Sequence, residues 1–190
     1  MDVKICGLTR HCDAALADVL GADYLGAVLY PKSPRGVTPE QLSGLFDGCR
    51  ARRVGVFVNA TMEFIRYAVR LGGLHVVQLH GAESAEFAKE INFAEVWAAR
   101  FDPSFPAARL VADSPGGGTG KPCDWTRASE LARLRPVMLA GGLDASNAVA
   151  AAMAVRPAGL DLSSGVEFAP GIKDENKLRA FFQIIKEIEL

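Results

Sequence analysis

The chain has 190 residues, with 21 Lys+Arg against 22 Asp+Glu and a formal net charge of -1. That balance argues against a protein held to nucleic acid by surplus positive charge. With 49% hydrophobic and 23% charged residues, the composition is that of a folded globular chain, and the length suits a single domain over 1–190.

Short β-rich runs alternate with helical patterns throughout. Residues 3–6 predict strand one, followed by a helix over 9–20 that Gly21 stops. Residues 24–29 form a continuous apolar run, as in a strand buried on both faces. Thr38-Pro39-Glu40-Gln41 combines a capping threonine, a proline at the first helical position and the glutamine of a capping box. It predicts a helix burying Leu42, Leu45 and Phe46 and ending at Gly48. Residues 53–58 read as strand three, followed by a helix with Met62, Ile65 and Val69 on one stripe. Strand four (76–79), a helix over 84–91 and strand five (94–98) continue the series. Residues 100–108, which include Pro103 and Pro106, show no helical period and read as a loop. Strand six (110–113), a helix from the Asp124 cap to 134, strand seven (137–140), a helix over 146–155 and strand eight (159–162) follow. Leu178, Phe181, Phe182, Ile185 and Ile188 mark a final amphipathic helix.

Eight βα units are the number that closes a parallel barrel. The expected fold class is therefore α/β, a single (β/α)8 TIM barrel with a short or missing helix after strand five. An open doubly wound sheet is the competing architecture, but it normally has fewer strands and a Gly-rich turn directly after strand one. Here that turn is Cys6-Gly7-Leu8-Thr9.

Residues just past the C-terminal ends of barrel strands face the site. That rule gathers Cys6, Arg35, His80, Asp113, the 116–120 glycine run, Gly141-Gly142 and residues 161–165. Cys6 reads either as a small buried hydrophobe or as a reactive thiol serving as base or nucleophile. Asp113 reads either as a turn residue or as a partly desolvated carboxyl that donates a proton near neutrality. Arg35 carries the planar fork that matches a carboxylate. Asp161, beside Ser163-Ser164, reads as a strand-end residue that organises a loop. The glycine run containing Gly118 and Gly120, the pair Gly141-Gly142, and Ser163-Ser164-Gly165 are candidate phosphate-binding backbone, because glycine lets N–H groups approach an anion closely. Gly120-Lys121 is not a P-loop, since Pro115 and Pro122 stand where that pattern needs glycine and Ser/Thr. His11, His75, His80 and the four cysteines (Cys6, Cys12, Cys49, Cys123) offer no metal-ligand spacing and no Cys-x-x-Cys pair, so no metal is indicated. No apolar run reaches the roughly 18 residues of a membrane span. The N-terminus has no signal-peptide pattern, and a reducing cytoplasm is the expected compartment.

The ordered motifs Lys4-Ile5-Cys6-Gly7-Leu8-Thr9, Tyr30-Pro31-Lys32-Ser33-Pro34-Arg35, Val77-Gln78-Leu79-His80-Gly81, Gly117-Gly118-Thr119-Gly120-Lys121, Leu139-Ala140-Gly141-Gly142-Leu143 and Asp161-Leu162-Ser163-Ser164-Gly165-Val166-Glu167 span nearly the whole chain. In them the sequence resembles the phosphoribosylanthranilate isomerases of tryptophan biosynthesis. The resemblance implies a cofactor-free Amadori rearrangement of a phosphosugar, with Cys6 as general base and Asp113 as general acid. It further implies that Arg35, with His80 and Asp161, binds substrate, and that Gly118, Gly120, Gly141, Gly142, Ser163 and Ser164 hold phosphate. The expected partner is this small molecule, with no nucleic acid or membrane, and the chain is expected to act as a monomer or homodimer. Two other phosphosugar barrels fit less well. A histidine-pathway isomerase relies on paired aspartates and half-barrel symmetry, and an epimerase would be expected to show metal ligands.

Overall fold

The structure, a computed structural model, describes residues 1–114 and 123–186. Eight parallel strands close on themselves in the order β1 to β8. These are β1 (Asp2–Ile5), β2 (Tyr24–Val28), β3 (Arg52–Phe57), β4 (Val76–Leu79), β5 (Glu95–Ala98), β6 (Arg109–Ala112), β7 (Val137–Leu139) and β8 (Gly159–Leu162). Closure is made by β1 against β8, where Lys4 stands opposite Asp161. The helices outside are α1 (His11–Leu20), α2 (Leu42–Leu45), α3 (Met62–Gly72), α4 (Ala85–Glu90), α5 (Trp125–Ala132), α6 (Ala148–Val155) and α7 (Glu175–Lys186).

Local chemistry explains where many of these helices begin. Thr61, Ser84 and Asp124 accept hydrogen bonds from backbone N–H groups in the first turns of α3, α4 and α5, satisfying donors that have no intrahelical partner. Asp174 does the same for Asn176 and Lys177 at the start of α7. The capping box at Thr38 forms, but the helix it opens is shorter than expected. It runs through one 3-10 turn, Pro39–Gln41, into the single turn of α2.

No helix follows β5, as the prolines predicted. The loop is fastened instead by the Arg135 guanidinium, which donates to the carbonyls of Pro103, Phe105 and Ala107, while Phe105 and Ala107 are buried. Backbone acceptors that a helix would have satisfied internally are thus satisfied from the connection between α5 and β7. A small antiparallel hairpin, β9 (Glu167–Ala169) with β10 (Ile172–Lys173), follows β8. The sequence reading did not anticipate it.

The core lies in two places. Most apolar side chains fill the space between barrel and helices. A second cluster of Tyr24, Val54, Val76, Trp97, Val111, Met138 and Ala140 fills the barrel itself. Trp97 meets Tyr24 edge-on at 4.7 Å, and Arg109 lies over both rings while pairing with Asp2 at 2.6 Å.

Candidate active site

Successive side chains alternate across a strand. Lys4 and Cys6, Gln78 and His80, Val111 and Asp113, and Asp161 and Ser163 therefore run in phase toward the barrel axis. Above the apolar plug the last members of these pairs meet in a cavity of about 460 Å³, a size suited to a small-molecule ligand. Cys6, Arg35, Gln78, His80, Asp113, Gly141, Gly142, Asp161, Ser163 and Ser164 all line it, with Val28, Tyr30, Val56, Val58 and Leu143 supplying apolar wall. Gly118 and Gly120 fall within 115–122, outside the described residues.

Cys6 is half-buried at the end of β1. Burial pushes its thiol up from the ordinary value, and the Lys4 ammonium is the largest influence in the other direction. Its carbonyl accepts from Lys173 Nζ at 2.6 Å, and the same ammonium reaches the Ser163 carbonyl at 3.3 Å and Glu167 Oε1 at 2.9 Å. Lys173 thus ties the end of β1, the loop after β8 and the hairpin together.

Arg35 lies on the cavity wall with its fork already matched. Nε donates to Glu167 Oε1 at 2.8 Å and Nη2 to Oε2 at 2.7 Å. Burial works against the Glu167 charge, but Arg35 and Lys173 outweigh it and hold the carboxyl below its ordinary value. Glu167→Ala would leave both cations without this shared anion, and breaking a buried pair costs about 3–5 kcal/mol. A loss of that order is expected in urea unfolding at neutral pH, and an unchanged midpoint would contradict it. Because the folded-state value is depressed, this stability is present above the unfolded carboxyl value and fades as pH falls through the folded one. Glu167→Gln should therefore lose less stability than the parent between about pH 5 and 3.

Asp113 sits just past β6. Its Oδ1 accepts from the Ser114 N–H at 2.7 Å, and Oδ2 lies 3.4 Å from His80 Nε2. On the far side of that ring, Gln78 Nε2 is 3.3 Å from Nδ1. With the amide donating to Nδ1, His80 carries its hydrogen on Nε2 and presents it to Asp113.

Asp161 corrects the sequence reading. It is not at a strand end organising a loop. It lies within β8, 8% exposed, and Oδ2 accepts from Lys4 Nζ at 2.7 Å. Adjacency to Ser163-Ser164 suggested the loop role, but strand alternation turns the carboxylate into the barrel. Its Oδ1 is buried without a hydrogen-bond partner among the described residues, as is Gln78 Oε1. Both residues line the cavity, while these two oxygens are themselves closed off from solvent.

On the neighbouring strand end Gly141 and Gly142 both adopt the left-handed region, with φ of 87° and 62°, turning the backbone sharply after β7. A side chain at Gly165 would collide with the Leu143 carbonyl oxygen, so glycine there lets the loops after β7 and β8 close on each other. Ser163 and Ser164 stand in that second loop. Lys4, Gln78, Glu167 and Lys173 escaped the sequence reading. The usable signals were polar residues two positions before Cys6 and His80 in apolar strands, and opposite charges flanking the Pro170-Gly171 turn. Among the described residues no group of three or more His, Cys, Asp or Glu side chains is placed to hold a metal ion. No described helix is long and apolar enough to cross a membrane.

Comparison with known proteins places this geometry in a family. The family model for N-(5'phosphoribosyl)anthranilate (PRA) isomerase matches residues 3–184. The chain is 40% identical over an alignment of 199 positions to the N-(5'-phosphoribosyl)anthranilate isomerase of Pelobacter propionicus, covering 97% of this chain and 95% of that one. The crystal structure of phosphoribosyl anthranilate isomerase from Thermus thermophilus superposes with a TM-score of 0.92 at 39% identity, covering 98% of each chain. A phosphoribosyl anthranilate isomerase solved in complex with reduced 1-(o-carboxyphenylamino)-1-deoxyribulose 5-phosphate superposes with a TM-score of 0.88 at 33% identity, covering 99% of this chain and 100% of that one. With a matching sequence over almost its whole length and a matching barrel, the chain belongs to the N-(5'-phosphoribosyl)anthranilate isomerase family.

Proposed function

We propose that this isomerase of tryptophan biosynthesis converts N-(5-phosphoribosyl)anthranilate to 1-(2-carboxyphenylamino)-1-deoxyribulose 5-phosphate, with Asp113 as general acid and Cys6 as general base. The observation that carries the reading is that the Cys6 thiol and the Asp113 carboxyl line a single small cavity whose rim holds Gly141, Gly142, Ser163 and Ser164. The compound bound to the solved relative has a carboxyphenyl group, a sugar chain and a phosphate, which are the three parts such a cavity must hold.

In this scheme protonated Asp113 gives its proton to the ribose ring oxygen, the C1–O bond breaks, and the nitrogen lone pair forms a protonated Schiff base. The Cys6 thiolate then takes the C2 proton, and the C–H electrons move into an enolamine that tautomerises to the ketone. His80, after Asp113 has lost its proton, donates to the carboxylate. Asp161 and Gln78 line the cavity floor beneath the sugar. The loops after β7 and β8 hold the phosphate through backbone N–H groups, with the 115–122 segment proposed to join them through Gly118 and Gly120. Gripping both ends fixes the reacting carbon between acid and base.

Arg35 is proposed to bind the anthranilate carboxylate with the N–H groups that Glu167 leaves free. Arg35→Ala should raise KM about tenfold or more, the scale of one lost hydrogen bond to a charged group at about 1.5–3 kcal/mol, with kcat changed less. A loss confined to kcat would count against carboxylate binding. The chain is further proposed to act as one barrel domain, as a monomer or homodimer, in the cytoplasm. The direct test follows the fluorescence of phosphoribosylanthranilate as purified protein consumes it. Absence of turnover by the folded protein would reject the assignment.

A further inference from the structure

We propose that Lys4 is a positioning residue whose ammonium, buried beneath the thiol and steered by Asp161, offsets part of the burial penalty on the Cys6 thiolate that the reaction needs. The proposal rests on the reading of Cys6 as the base. A half-buried thiol with no charge nearby stays protonated near neutrality, because withdrawal from water penalises the anion. Such a group becomes a base only if something in the protein replaces the lost hydration.

Lys4 is built to do so. It stands two residues before Cys6 on the inward face of β1, and its side chain is fully buried. A buried ammonium needs a partner, and Asp161 supplies it at 2.7 Å from the directly opposite register position on β8. The pair is therefore fixed by the seam that closes the barrel. Gly26 on β2 makes the contact with Cys6 possible. A β-carbon built there would lie 3.0 Å from both Cys6 Sγ and Lys4 Cε, so the two side chains share a gap that any side chain on β2 would crowd. Burial disfavours the Lys4 charge, but Asp161 and Cys6 together outweigh it, and the ammonium is held above its ordinary value.

Other charged groups facing the thiol are accounted for. Asp161 on β8 opposes the thiolate, Lys173 on β10 supports it, and Arg35 in the loop after β2 senses it. Asp113 and His80 stand elsewhere on the cavity lining. Lys173 and Arg35 are both paired with Glu167. Lys4 is paired too, but it is the cation that acts most strongly on Cys6. Lys4 and Asp161 thus act on Cys6 with opposite signs.

That opposition gives the test. The rate of iodoacetamide alkylation of Cys6 in free enzyme, read by peptide mass mapping against pH, yields the thiol midpoint without any turnover. In Lys4→Gln the midpoint should rise by at least about one pH unit, the usual effect of an adjacent opposite charge. The acidic limb of kcat/KM should move with it while KM stays within about twofold. In Asp161→Asn, which keeps the cation and removes the anion, the alkylation midpoint should fall. A folded Lys4→Gln protein with the parental midpoint overturns the proposal, and so do shifts of the same sign in both variants. If Lys4→Gln does not fold, an unchanged or raised midpoint in Asp161→Asn overturns it instead. Failure of Cys6 as the base would show separately, as retained turnover in Cys6→Ala with the alkylation results unaltered.

Discussion

Cys6→Ala is expected to lower kcat by at least about 100-fold, the scale of a lost general base, with KM within a few fold of the parent. The expectation follows from how the residue is held. Its backbone carbonyl is fixed by Lys173, a contact that survives removal of the side chain, so the cavity keeps its shape. Substrate ends are bound elsewhere, at Arg35 and at the loops after β7 and β8, so ground-state binding should persist. Only the proton acceptor for C2 disappears. The other described cysteines cannot replace it, since Cys12, Cys49 and Cys123 are not among the described residues lining the cavity. Cys6→Ser should fare little better, because a hydroxyl is far harder to ionise than a thiol. Since the base must be deprotonated, the parental kcat/KM should rise with pH through the Cys6 titration, and burial sets that rise higher than Lys4 alone would. Steady-state kinetics across pH would decide it, and near-parental turnover in Cys6→Ala would remove the thiol from the mechanism.

Asp113→Asn should cost a similar factor of about 100 or more in kcat, for the complementary reason. An amide of the same shape can still accept from the Ser114 N–H at Oδ1, and so preserves the local geometry. It has no acidic proton to give the ring oxygen, and ring opening stalls. The reduced product analogue seen in the solved relative has no ring to open, so its affinity in calorimetry should remain within a few fold of the parent. Loss of that binding together with activity would assign Asp113 to holding the sugar rather than to protonating it. A third variant separates the neighbour's part. His80→Gln should lower kcat less than Asp113→Asn, because the proton itself remains on Asp113.

Much of the architecture could be read directly from the chain. Alternating apolar runs and capped helical stripes marked eight βα units, and strands four and eight have the boundaries expected of them. Pro103 and Pro106 announced the missing helix after β5, because proline cannot donate within a helix. Shorter features were missed for a physical reason. Two strands of three and two residues around Pro170-Gly171 carry too little periodicity to register, and a capping box marks where a helix starts but not how far α2 runs.

By itself, the sequence determined the order of elements and which residues end the strands. In a closed parallel barrel all C-terminal strand ends lie on one face, so order alone is enough to bring Cys6, His80, Asp113, Gly141 and Ser163 to one mouth. It did not determine who pairs with whom. Arg35 meets Glu167 across 132 positions and Lys4 meets Asp161 across 157, and sequence spacing says nothing over such distances. Only the register of β1 against β8 and the fold of the hairpin over the mouth decided those charges, and with them the electrostatic setting of the thiol.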